Sequence, residues 1–171
     1  MFRTFMIGAV SALALSAAAL NTSESFAQGS SLKQQVVGTW TVVSTVNTRP
    51  DGSRYEALGS NPRGVFMLDA NGHFALTILG EARRKFASNS RLEGTPDENK
   101  ASVQGSIAYF GTYTVNDADH TLTFHIERCT FPNWDGTDQK RSVTITGDEM
   151  KYTNTGASGG GKAELVWKRA K

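Results

Sequence analysis

The chain has 171 residues and a mass of 18.5 kDa, with 39% hydrophobic and 20% charged residues. This is the size and composition of one globular domain, which excludes both a multidomain machine and a disordered chain. The 18 Lys and Arg against 16 Asp and Glu give a net charge of +2, and the two signs are interspersed. No basic patch is available for a phosphate backbone, so nucleic acid is not expected as a partner.

The first 27 residues have the pattern of a secretory signal peptide. Arg3 precedes an apolar stretch, Phe5–Leu20, and the small residues Ser25 and Ala27 lie just before Gln28. The apolar stretch is shorter than the about 20 residues that a membrane-spanning helix needs. We therefore predict that residues 1–27 are cleaved and that residues 28–171 form a periplasmic or secreted domain without a membrane span.

From Val36 onward the residues alternate with the period of two that is typical of β-strands. The first predicted strand, Val36–Val46, places Trp40, Val42, Ser44 and Val46 on one face. The further strands predicted by the same alternation are Tyr55–Leu58, Gly64–Leu68, His73–Leu79, Tyr109–Val115, Thr121–Cys129, Gln139–Thr146, Met150–Asn154 and Ala163–Lys168.

Short turns such as Asn71-Gly72 separate most of these strands, which predicts consecutive β-hairpins. Such a meander of eight or nine antiparallel strands removes its exposed edges by closing into a barrel, although a sandwich remains an alternative. The exception is a long, partly helical insert over Gly80–Gly105, in which Thr95 precedes Pro96 as a helix cap with Glu98 three positions later. In a barrel this insert is expected at one mouth.

Cys129 is the one cysteine of the chain, so no internal disulfide can form. No basic neighbour at a helix start is evident that would lower the pKa of its thiol. We therefore interpret Cys129 as a small packing residue on a strand and not as a reactive thiol. The fold must then be held by its apolar core, which a domain of this size can supply.

Five short segments stand out along residues 28–171 and cover most of that range in order. They are Val37-Gly38-Thr39-Trp40, Asn61-Pro62-Arg63-Gly64, Asp69-Ala70-Asn71-Gly72-His73, Ala108-Tyr109-Phe110-Gly111-Thr112-Tyr113-Thr114-Val115 and Phe131-Pro132-Asn133-Trp134-Asp135-Gly136-Thr137-Asp138-Gln139-Lys140-Arg141. Together they resemble the bacterial and fungal lipocalin-like domain family. The resemblance implies a small antiparallel barrel of about eight strands that holds apolar molecules, with Trp40 closing its base and Arg169 stacked on the indole ring.

Strand alternation also predicts what lines the interior. Continuing the apolar faces of the two neighbouring strands places Arg128 and Arg141 on the inner side, near Asn133 and Trp134 of the connection between them. These arginines are candidate anchors for the acidic head of an apolar ligand, because a guanidinium binds a carboxylate through two parallel hydrogen bonds. The alternative is that each arginine pairs locally with Asp135 or Glu127.

Two tyrosines complete the candidate ligand-binding set. Tyr109 and Tyr113 share one strand face, so both hydroxyls are expected to reach the cavity, unless the rings are simply part of an aromatic core.

Catalytic and metal-binding patterns are weak. His125 and Glu127 share a strand face, but it is the face opposite the apolar one, and no cluster has the spacing of a zinc site. We therefore predict no catalytic residue, no metal and no cofactor. The preferred function is a non-enzymatic binder of a small apolar or amphipathic molecule. The alternatives are a barrel enzyme for a proton-transfer isomerisation or cyclisation, and an interaction module that acts through the Gly80–Gly105 insert.

Overall fold

The structure is a computed structural model that describes residues 30–171; the predicted signal peptide lies outside the described residues. The helices are α1 (Leu32–Val36) and α2 (Pro96–Gln104), with one 3-10 turn at Pro132–Trp134. The nine strands are β1 (Gly38–Thr48), β2 (Arg54–Tyr55), β3 (Arg63–Leu68), β4 (His73–Leu79), β5 (Ser106–Asn116), β6 (Thr121–Cys129), β7 (Thr137–Thr146), β8 (Glu149–Asn154) and β9 (Lys162–Arg169).

The strands form one closed antiparallel barrel, as predicted. From β3 to β9 each strand pairs with the next along the chain, and β1 pairs with both β3 and β9. Eight strands therefore close the barrel, while the two-residue β2 is an extra strand on the end of β1. Because β1 has a partner on each side, the sandwich alternative is wrong.

The two ends of the barrel differ. The end that carries α1 and the tight turns 69–72, 117–120 and 147–148 is called the closed end. The open end carries the longer connections, over residues 49–62, 80–105, 130–136 and 155–161. The insert thus lies at one mouth, as expected, and its helix α2 begins with the predicted capping box: Thr95 Oγ1 accepts from Glu98 N and Glu98 Oε2 accepts from Thr95 N.

Trp40 and Arg169 stabilise the closed end. The indole of Trp40 is fully buried and donates to the Val36 carbonyl oxygen at 2.8 Å. The guanidinium carbon of Arg169 lies 4.1 Å from the centre of the Trp40 ring, and its nitrogens donate to Val37 O and Gln35 O at 3.0 and 2.7 Å. The stacking predicted from the resemblance is therefore present.

The N-terminal boundary of the first strand differs from the prediction. Val36 ends helix α1, which Ser31 caps, and the strand begins at Gly38. The buried Leu32 and Val36 of this helix cover the closed end of the core.

Two irregularities change which side chains face inward. In β1 the register shifts between Val42 and Ser44, so Val43 is the extra residue of a β-bulge. Beyond it Thr45 and Asn47 are buried, and the prediction that Ser44 and Val46 face the interior is wrong.

The second irregularity lies between β5 and β6. Phe110 pairs with Arg128, whereas the next residue, Gly111, pairs with Ile126, so Glu127 is skipped and the alternation of β6 inverts beyond it. Gly111 permits this close approach, since a Cβ there would collide with the carbonyl oxygen of His125.

Aromatic rings pack against one another in the barrel core. The Phe74 and Phe124 rings are 4.7 Å apart between centres, and Phe66 packs against both of them and against Trp167 at 5.3 Å. Burial of this apolar surface is the main source of stability for a domain without disulfides. Within residues 30–171, no helix is both long and apolar enough to cross a membrane.

Candidate functional site

Arg141 is a charged residue inside the barrel. It lies near the middle of β7 and is 2% exposed. Its guanidinium donates to Gln139 Oε1 and to the Lys140 carbonyl oxygen, both neutral acceptors. Its Nε has no hydrogen-bond partner in the part of the chain that the structure describes. None of the ion pairs among residues 30–171 includes Arg141. A buried cation is therefore held without a counter-charge, an arrangement that costs free energy.

Residues on the neighbouring strands lie in register with Arg141, and two of them are polar. Arg141 is paired with Asn154 of β8, Asn154 with Ala163 of β9, and Ala163 with Asn47 of β1. All four residues are at most 9% exposed. We call these four the Arg141 row.

Tyr109 and Tyr152 lie next to this row. Their hydroxyl oxygens are 3.5 Å apart, which joins β5 to β8 through the barrel interior. Burial raises the pKa of Tyr109, and it raises the pKa of Tyr152 well above the ordinary value, although the positive charge of Arg141 opposes both shifts. Both phenols are consequently neutral near pH 7 and can donate hydrogen bonds.

The 3-10 turn brings Trp134 to the open end of this cluster. Its ring is 5.7 Å from that of Tyr109 and 5.8 Å from that of Phe131, and it is partly buried against the core. The neighbouring Asn133 is exposed. Trp134 therefore lies where the predicted site places it, whereas Asn133 is on the surface.

Arg128 does not join Arg141. Because the bulge inverts the alternation of β6, the Arg128 side chain points outward and is 74% exposed. It donates to the carbonyl oxygen of Glu127 at 2.8 Å and lies 3.9 Å from Asp135. The prediction of two converging guanidinium groups is wrong, and for Arg128 the local-pairing alternative holds.

Cys129 takes the inward position instead. It is partly buried, its Sγ accepts a hydrogen bond from Phe131 N, and burial raises the pKa of its thiol. A thiol with a raised pKa is poorly nucleophilic at neutral pH, which agrees with a packing role.

Tyr113 shares a face with Tyr109, as predicted, but lies at the other end of the barrel. Its hydroxyl donates to the carbonyl oxygen of Asp69 at 2.6 Å, in the β3–β4 turn of the closed end. Four residues of strand span about 13 Å, so the two tyrosines of β5 reach different ends. The structure therefore brings together Arg141, Tyr109 and Trp134 of the predicted set, and separates Tyr113, Arg128 and Asn133 from them.

Tyr152, Asn154, Asn47 and Thr45 belong to the interior but were not predicted as site residues. The alternation of β8 carries the signal for Tyr152 and Asn154, since both share a face with the buried Met150. No such signal marks Thr45 and Asn47, because the bulge at Val43 precedes them.

Two grooves lie away from this cluster. One, of about 580 Å³, is at the closed end between α1, the 117–120 turn and β7. The other, of about 400 Å³, is lined by His125, Glu127, Arg128 and Gly136 on the outer side of β6. His125 is half-exposed and lies 2.8 Å from Asp138, as expected for an outward-facing residue.

Comparisons with known proteins found similarity in sequence and in structure. A 4'-hydroxy-3'-methoxypropiophenone carrier protein of Aspergillus oryzae is 36% identical over 68 residues, which cover 36% of this chain and 61% of the relative. The chain thus matches less than two thirds of that relative's length. A crystal structure of a mutant of the fluorescent protein UnaG aligns with 80% of this chain and 97% of its own, with 14% identity and a TM-score of 0.38.

The sequence profile of the lipocalin-like domain matches residues 37–170, which comprise the whole barrel. The chain belongs to the lipocalin-like domain family.

Proposed function

We propose that this protein is a non-enzymatic carrier that binds a small aromatic, amphipathic molecule inside the barrel. Arg141 holds an acidic or other oxygen-acceptor group of that molecule. The observation that carries this proposal is the burial of a guanidinium without a carboxylate partner among the described residues. A ligand oxygen at Nε supplies the partner that residues 30–171 do not.

The surroundings of Arg141 support an aromatic ligand. The Phe74 and Phe124 rings and the Tyr109–Trp134 pair offer ring edges and faces, which favour offset and edge-on contacts with another ring. The hydroxyls of Tyr109 and Tyr152 add donors beside the guanidinium. The Aspergillus relative is named as the carrier of an aryl ketone that also bears a hydroxyl and a methoxy group, which is this class of molecule.

The same tyrosines are unsuited to act as general bases. A general base must be deprotonated near the working pH, yet burial raises the pKa of both phenols. Near neutrality they act as hydrogen-bond donors that orient a ligand.

The test is a calorimetric titration with 4'-hydroxy-3'-methoxypropiophenone as the probe. Wild type is expected to bind it, and Arg141→Met to bind at least about tenfold more weakly, because a hydrogen bond to a charged donor contributes about 1.5–3 kcal/mol. Arg128→Met is the matched control, since it removes an arginine from the outer surface, and it should bind as wild type does. Equal binding by Arg141→Met and wild type contradicts the proposed anchor. Probe recovered chemically unchanged after incubation supports a carrier, and a converted product supports the enzyme alternative.

We also propose that the protein works in the periplasm or is secreted, after loss of residues 1–27. The basis is the sequence pattern that ends at Ala27. N-terminal sequencing of the protein from an exporting host is expected to start at Gln28. A start at Met1 with the protein retained in the cell contradicts it.

A further inference from the structure

The β-bulge at Val43 places a polar side chain inside the barrel. Val43 itself points outward and is 50% exposed, while Thr45 is turned inward to an exposure of 4%. A regular strand would have left Thr45 on the outer surface. Bulges often reorient a side chain beside a functional site, so the inward position of Thr45 indicates a function for its hydroxyl.

Two buried polar atoms in this part of the wall have no hydrogen-bond partner within the described residues: Thr45 Oγ1 and Trp167 Nε1. Trp167 is fully buried. Thr45 is paired with Leu165 of β9, and Trp167 lies two residues further along that strand on the same inner face. Diagonal neighbours of this kind are within reach of long side chains. Buried polar groups are nearly always hydrogen-bonded, so two unpartnered polar atoms on one inner face indicate a missing hydrogen-bond partner.

These atoms lie apart from Arg141. Register runs from Thr45 to Leu165, Tyr152 and Val143, the row next to that of Arg141. Two strands, β8 and β9, separate β1 from β7, which makes about 14 Å of sheet between the two backbones. The guanidinium and the hydroxyl reach inward from either side of this arc, and Leu165 and the Tyr152 ring lie between them.

We propose that Thr45 and Trp167 form a second polar subsite, and that the ligand is a single aromatic ring with oxygen functions at opposite ends. One oxygen binds Arg141, and the other accepts from the Trp167 indole and bonds with the Thr45 hydroxyl. The apolar middle of the ring packs on Leu165 and Tyr152. This inference rests on the proposed carrier function, and it excludes long acyl chains, which present one polar end only.

The test compares two probes that differ at one end. 4'-Hydroxy-3'-methoxypropiophenone has oxygens at both ends of its ring, whereas propiophenone has the ketone alone. Wild type is expected to prefer the first by at least about tenfold, because a site built to bond a hydroxyl rejects an analogue that lacks it. Thr45→Val should reduce this preference to less than about threefold, and Thr45→Ser, which keeps the hydroxyl, should retain it.

Thr39→Val is the matched control, because Thr39 is exposed on the same strand. It should leave both affinities unchanged. A Thr45→Val protein that is folded by circular dichroism and keeps the full preference overturns the second subsite, while tight binding by wild type leaves the carrier function standing. If wild type binds neither probe, the carrier function fails and the subsite fails with it.

Discussion

Replacing Arg141 with Met should stabilise the ligand-free protein. The guanidinium is 2% exposed and has no ion-pair partner within residues 30–171. Removing a charge of this kind from water costs several kcal/mol, and the unpartnered Nε–H adds about 1–3 kcal/mol. Against this, the hydrogen bonds to Gln139 Oε1 and Lys140 O contribute about 1.5 kcal/mol each. Met keeps the apolar stem, so we expect the free energy of unfolding to rise by about 1–3 kcal/mol.

The assay is urea unfolding followed by tryptophan fluorescence, on protein that has been unfolded and refolded to remove bound molecules. This step matters because a ligand that binds the folded state adds to its apparent stability. Arg128→Met, on the outer surface, should change the free energy of unfolding by less than about 0.5 kcal/mol. A loss of more than about 2 kcal/mol in Arg141→Met refutes the reasoning, because it makes Arg141 a structural residue.

Three further predictions concern the fold. Arg169→Met should lower the free energy of unfolding by about 2–4 kcal/mol in the same urea assay, because it removes the Trp40 stacking and two hydrogen bonds to carbonyls. A loss below about 1 kcal/mol contradicts the stabilising role of Arg169 at the closed end. Gly64→Ala should lower the free energy of unfolding by about 2 kcal/mol or more, since a Cβ there collides with the backbone oxygen of Thr77. A melting temperature equal to that of wild type contradicts this close packing of β3 on β4. Burial raises the pKa of Tyr109 and Tyr152, so the stability that their neutral forms contribute is complete below about pH 10 and is lost as the pH rises through the folded pKa. The free energy of unfolding, measured from neutral to strongly alkaline pH, should show this decline, and Tyr152→Phe should make the decline shallower. An equal dependence on pH in wild type and Tyr152→Phe contradicts the contribution of the buried tyrosine pair.

The sequence predicted the barrel well because its signals are local. All nine predicted strands match observed ones to within three residues at each end, from Val36–Val46 in β1 to Ala163–Lys168 in β9. The alternation of apolar residues and the turn at Asn71-Gly72 act within one hairpin, and closure follows because unpaired edges are unfavourable. The capping box of α2 is equally local, since Thr95 and Glu98 lie within one turn of helix.

The candidate site was predicted less well because side-chain direction depends on register. A single bulge inverts every inward and outward assignment beyond it. That is why Arg128 lies outside, and why Thr45 and Asn47 lie inside. Arg141 was placed correctly because β7 has no register shift with β6 or β8.

The most direct test of the central claim is the nuclear magnetic resonance signal of the Arg141 Nε–H, assigned by its loss in Arg141→Met. This proton has no acceptor among residues 30–171. On addition of 4'-hydroxy-3'-methoxypropiophenone, the signal should shift and become protected from exchange with water, as a new hydrogen bond requires. An unchanged Arg141 signal, with shifts confined to residues of the closed-end groove such as His120 and Thr144, would contradict a ligand held inside the barrel.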